Sequence, residues 1–256
     1  MNLYDDMIAR CQGMLAPFSL SCKHYSIPEM IAVKNEKNTA CGEAFWEQED
    51  EQRILFKKDT AYELGGGGLP AYSGVAFTTD ESLQDEIVVC GPDLPQLKED
   101  SPYARLTIFR VNDGTWTDNY QAYRILRRLD YTRYHVYPKG FLMRISAAAH
   151  REPVRVSREA LRAGLNFEQV GRLFLAAYHS HPEVLGVRIF FITEPNFSYE
   201  DFGEAVQQMD SVTESLNEIF INLVMDCAAC RLKPVCDEVE GLRELHFAVK
   251  KDMPIQ

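Results

Sequence analysis

The chain has 256 residues, 46% of them hydrophobic and 25% charged, with a formal net charge of -11. That balance is ordinary for a globular protein and excludes disordered and fibrous classes. No run approaches the roughly 20 apolar residues that span a bilayer, and an acidic chain of this kind repels a nucleic-acid backbone. The N-terminus, "MNLYDDMIAR", has neither a basic n-region nor an apolar core, so the expected setting is the cytoplasm, without membrane or nucleic-acid partners. Seven cysteines is an odd count. In a reducing compartment it favours metal ligation or buried thiols over a disulfide framework.

The charge is unevenly spread. Between Arg124 and Arg172 stand ten arginines and Lys139 against Asp130, Glu152, Glu159 and Glu168, which puts +7 there and -18 over the rest. Two readings follow: solvated arginine faces, or a basic surface for an anionic ligand or acidic partner.

In chain order, residues 1–60 read as an N-terminal extension: a helix in "LYDDMIARCQGML" and a polar segment holding Cys22 and Cys41. Residues 61–225 read as the main domain. A turn-rich stretch, "YELGGGGLPAYSG", precedes strand candidates in "SGVAFTT", "EIVVC" and "ARLTIFRV". "WTDNYQAYRILRRL" has helical spacing, and "KGFLMRIS" and "VRVS" read as short strands. Asn166 caps a helix with Gln169 completing a box, and Phe167, Val170, Phe174 and Ala177 form its apolar stripe up to Pro182. "GVRIFFIT" is an interior strand, and from Ser198 a helical period runs to Cys227. Irregular alternation of strands and helices indicates α+β, a mixed sheet flanked by helices, with a long C-terminal helix leading to a cysteine-rich tail over 226–256.

Three stretches bear on chemistry. "YHSHPEV" (178–184) carries the H-S-H-P of JAMM-type zinc proteases, but Ile189 and Ile192 stand where that site needs Ser and Asp. Two histidines without a carboxylate are an incomplete zinc set, so histidines at a helix C-terminus are the simpler reading. "GGGG" (65–68) lacks the Gly-Lys-Ser/Thr of a phosphate loop and reads as a flexible connection. The third is "MDCAACRLKPVC" (225–236), where Cys227, Cys230 and Cys236 stand at C-x2-C-x5-C spacing. A C-x2-C pair brings two thiolates to one metal from a single turn, and the third closes around an iron–sulfur cluster or Zn2+. Arg231 and Lys233 would favour the thiolates.

Four stretches in order, "YELGG" (62–66), "VVCGPDL" (88–94), "VRVSREALRAGLNFEQVGRLFLAAYH" (154–179) and "RIFFITEP" (188–195), resemble the middle domain of the acetyl-CoA synthase family, the nickel–iron β subunits of carbon monoxide dehydrogenase/acetyl-CoA synthase complexes. The resemblance runs to Cys236. It implies an iron–sulfur cluster, 4Fe-4S by preference and zinc by alternative, on Cys227, Cys230 and Cys236. The family's spacer before the third cysteine is longer than the five residues here, and its fourth cysteine falls on His246. That residue, Cys11, Cys22, Cys41 or an outside group would complete the site, with an N-terminal cysteine preferred.

The resemblance also implies an arginine-rich surface, with Arg155 and Arg158 as ligand-binding candidates for coenzyme A or for docking a corrinoid iron–sulfur protein or other C1 carrier. Val154 stands where the family has a tryptophan. The family's nickel-binding last domain has no counterpart after Cys236, so a protein of one-carbon metabolism without the full synthase activity is expected. A reduced cluster-based catalyst and a zinc-stabilised interaction module are the alternatives.

Overall fold

The computed structural model describes residues 3–27, 55–116, 118–144 and 150–221, with side chains as far as residue 217. Helix α1 (Asp5–Leu15) and strand β1 (Cys22–Ser26) come first. Strands β2 (Thr60–Leu64), β3 (Ala71–Thr78), β4 (Glu86–Cys90) and β5 (Tyr103–Val111) follow. Helix α2 (Asn119–Thr132) leads to the short strands β6 (Phe141–Met143) and β7 (Val154–Ser157). The described chain ends with α3 (Arg158–Arg162), α4 (Phe167–Tyr178), β8 (Val184–Ile192) and α5 (Tyr199–Ile221).

Two sheets result. The larger has the order β1-β4-β8-β5-β3, and the smaller β2-β7-β6. In the larger sheet β4 and β8 run parallel, as do β3 and β5, while β5 and β8 are antiparallel. This is the mixed sheet of an α+β fold. "RIFFIT" fills its middle strand because both faces of β8 are covered, which calls for a nearly continuous apolar run.

Helix α4 packs on β4 and β8. Its start is fixed by a reciprocal cap: Gln169 N donates to Asn166 Oδ1 at 3.0 Å, and Asn166 N donates to Gln169 Oε1 at 3.1 Å. Its buried stripe is Phe167, Val170, Gly171, Phe174, Leu175 and Tyr178; Ala177 is only half-buried. Gly171 lies so close to Ile87 that a Cβ would meet its side-chain atoms at 2.7–3.0 Å. Helix α5 packs on β3, α2 and α1.

The small sheet is tied to the large one by aromatic rings. Phe141 of β6 meets Phe167 edge-on at 6.3 Å, and Phe167 stacks on Phe191 of β8 at 4.7 Å. Tyr62 of β2 donates to Leu94 O at 2.6 Å.

Three elements depart from the sequence-based expectation. The polar segment around Cys22 is β1, an edge strand of the large sheet, paired in register with β4 from Cys22–Cys90 to Ser26–Glu86. It shows no apolar alternation because three of its five side chains are exposed. The turn-rich stretch begins with a strand, β2, before the glycines. Helix α3 was not expected; Ser157, whose side chain accepts from Ala160 N, starts it.

Cys22 and Cys90 form a disulfide, with Cα atoms 4.3 Å apart. For this pair it departs from the expectation that favours metal ligation or buried thiols over disulfides, while Cys11 is a buried thiol. The register sets two cysteines directly opposite each other on neighbouring strands, close enough to bridge.

Candidate functional site

A cleft of about 740 Å3 opens beside the small sheet, within the range of small-molecule sites. Its walls come from three separated stretches: residues 55–59 ahead of β2, the chain from the end of α2 through β6, and the β7–α3 corner. The floor needs Gly140, whose φ is +76° and whose added Cβ would lie 2.3 Å from the Cβ of Ala160.

The cleft is basic. Lys58, Arg133, Lys139, Arg158 and Arg162 line it, against Asp59 and Glu159. Tyr134 and Tyr137 add aromatic faces. Cations around a half-apolar cleft with ring faces suit a ligand that carries phosphates and a flat base.

Arg158 is exposed, and its Nη1 reaches Lys58 O at 3.4 Å. It forms no ion pair with any described residue. Arg133 is the buried member of the group. Burial opposes its charge, but Asp130, with Oδ1 3.2 Å from Nε, and then Glu152 more than restore it. The same guanidinium donates to Ser73 Oγ at 2.9 Å.

The other sequence-predicted arginine lies differently. Arg155 of β7 faces Glu63 of β2 across the strand pair, with Nε 2.9 Å from Oε1, and is absent from the cleft lining. Glu63 also takes Arg144 Nη2 at 2.5 Å. Part of the positive middle of the chain is neutralised in this way by acids from elsewhere. Arg127 pairs with Asp210 at 2.8 Å and with Glu214, and Arg128 pairs with Glu183. Of the two readings of the local charge, the basic surface is carried here by the cations of the cleft.

The two histidines of "YHSHPEV" are held by protein groups. His179, the C-cap of α4, has Nε2 2.8 Å from Asp85 Oδ2. His181 Nε2 lies 2.7 Å from Thr132 Oγ1, and desolvation with the nearby Arg128 lowers its pKa. Ile189 and Ile192 are fully buried in β8. The four-glycine stretch is a tight turn with Gly65 left-handed, its N–H bonded to Ser101 O at 2.7 Å.

Cys227, Cys230, Cys236, His246 and Cys41 lie outside the described residues. Two of the N-terminal candidates for a fourth metal ligand lie among the described residues. Cys22 is bonded to Cys90, and Cys11 is fully buried, with burial pushing its thiol up to about 12. Among the described residues no group of three or more His, Cys, Asp or Glu could hold a metal ion.

The family model of the CO dehydrogenase/acetyl-CoA synthase complex beta subunit matches residues 43–197, more than half of the chain. The chain belongs to this family. No curated protein matches it. Every wall of the cleft falls within the segment shared with the beta subunits, whereas α5 and the cysteine triplet lie beyond residue 197. No described helix is long and apolar enough to cross a membrane.

The cleft's cations come from stretches about eighty and twenty residues apart in sequence, which spacing rules do not connect. The pair Lys57-Lys58 and the run Arg158–Arg162 were the only local hints.

Proposed function

We propose that this acetyl-CoA-synthase-like protein of CO and C1 metabolism binds a coenzyme-A-class ligand in the basic cleft at Arg158. It also carries an iron–sulfur centre on Cys227, Cys230 and Cys236. The observation behind the ligand assignment is the cleft itself, basic, aromatic-edged and wholly inside the family-matched segment. Coenzyme A presents a pyrophosphate, a 3′-phosphate and a purine. The cations of the cleft would meet the phosphates and the tyrosines the purine ring. Arg158 is the residue we expect to contact phosphate; Arg155 orients β7 through Glu63. Replacing Arg158 by Ala then weakens binding roughly tenfold or more, the ~1.5–3 kcal/mol of a hydrogen bond between charged groups. Arg172→Ala, whose guanidinium already pairs with Glu168 on the surface, leaves binding unchanged. Calorimetric titration of both variants checks the difference.

Membership of a complex's beta-subunit family supports a protein partner, and a corrinoid or other C1-carrier protein is the partner proposed. For the metal centre, three thiolates within ten residues are a soft donor set suited to iron–sulfur or zinc. Protein purified without oxygen should contain iron and acid-labile sulfide and absorb broadly in the visible. A colourless protein with one zinc per chain and no sulfide would replace the cluster with a structural zinc site.

A further inference from the structure

The bond between Cys22 and Cys90 lies at an unusual place for a structural staple. It fastens an edge strand to the sheet, and β1 has a neighbour, β4, on one side only among the described residues. The two cysteines differ in burial. Cys22 is partly buried between the exposed Ser21 and Lys23, whereas Cys90 is 1% exposed inside the core. In a reducing compartment, disulfides are mostly transient and redox-active.

We infer that Cys22 and Cys90 are a thiol–disulfide couple in which Cys22 is the exchanging sulfur, so that a small thiol or its disulfide latches and unlatches β1. In the reducing direction, the thiolate of a low-molecular-weight thiol attacks Cys22 Sγ, on the less buried of the two residues. The protein S–S bond breaks and Cys90 leaves as a thiolate that takes up a proton. A second small thiol attacks the adduct, releasing Cys22 as a thiol and the small molecule as its disulfide. Two electrons pass from the two small thiols to the protein. Oxidation by the small disulfide runs the same steps backwards.

The geometry also names the bystander. Cys11, fully buried and with its thiol pushed up to about 12, is a poor nucleophile and stays out of the exchange.

The consequence is local. Opening the bond leaves β1 held by one backbone ladder alone, while β4 keeps β8 on its other side. Backbone amides of residues 23–27 should then exchange with solvent on the order of tenfold faster or more by local opening, while those of β4 and β8 change only as the global stability does.

The test uses the full chain, prepared without oxygen and equilibrated in glutathione buffers of different ratio, with alkylation and peptide mapping to separate this pair from the other cysteines. The expected result is a Cys22–Cys90 cross-link that disappears in reduced glutathione and returns in oxidised glutathione under native conditions. The Cys90→Ser variant should carry one glutathione on Cys22, and the Cys22→Ser variant none on Cys90. A bond that opens only after the protein is unfolded would overturn the inference. So would a wild-type protein whose two thiols never join in oxidised glutathione, or glutathione found on Cys90. Hydrogen exchange on the wild-type chain in the two buffers decides the matter even if neither variant folds.

Discussion

Replacing Glu152 by Ala lowers the unfolding free energy by about 3–5 kcal/mol, the cost of leaving a buried charge without its partner. Glu152 is completely buried and Arg105 is 1% exposed, with Oε2 and Nη2 2.6 Å apart. Arg105 stands on β5, in the middle of the larger sheet's β3–β5–β8 half, and its guanidinium lies 4.2 Å over the Phe174 ring of α4. It reaches Ser73 Oγ at 3.4 Å, and Ser73 in turn accepts from Arg133. Without the carboxylate, two guanidinium groups share this core with Asp130 as the nearest counter-charge. The paired replacement Arg105→Met with Glu152→Leu removes both charges and should recover most of the loss, since apolar groups of similar volume often substitute for a buried ion pair at little cost. Urea unfolding of the single and double variants measures both. A loss below about 1 kcal/mol for Glu152→Ala, the range of an exposed pair, would show that water reaches the site.

The second large effect is the loss of the covalent tie. Cys22 and Cys90 are 68 residues apart in sequence, and closing a loop of that length stabilises a folded chain by about 4 kcal/mol in the chain-entropy model. Cys22→Ala should therefore unfold at lower denaturant concentration than the oxidised wild type and at the same concentration as the reduced wild type. Alanine suits this position because Cys22 is only partly buried and the replacement removes a single sulfur atom. Equal unfolding midpoints for the variant and the oxidised wild type would mean that the bond does not restrict the unfolded chain.

Neither of these features is legible in the sequence, although much of the fold around them is. The capped helix α4, the interior strand β8 and the long amphipathic helix α5 are legible because each has one strong local signal: a cap box, an apolar run, a sustained helical period. Strand β1 is not, because an edge strand with exposed side chains carries no alternation to read. The disulfide is illegible for the same reason, since it depends on β1 pairing with β4 in one register. Arg105 and Glu152 are 47 positions apart, and neither stands in a motif. A charged residue inside "ARLTIFRV" reads as the polar face of a strand until the opposing carboxylate is known. The cleft illustrates the limit most fully. The family resemblance names Arg158, which lines the cleft, but Lys58 and Lys139 join it there only through the fold that brings residues 55–59 beside β6 and the β7–α3 corner. Arg155, three positions earlier, is drawn to Glu63 by the β2–β7 register.

The most direct measurement is calorimetric titration of coenzyme A into the full-length wild-type chain, prepared without oxygen, at low and moderate salt. Saturable one-to-one binding that weakens as salt rises is the predicted result, because phosphates held by several cations are screened by added ions. No saturable heat at either salt concentration would contradict the assignment of the Arg158 cleft to a coenzyme-A-class ligand.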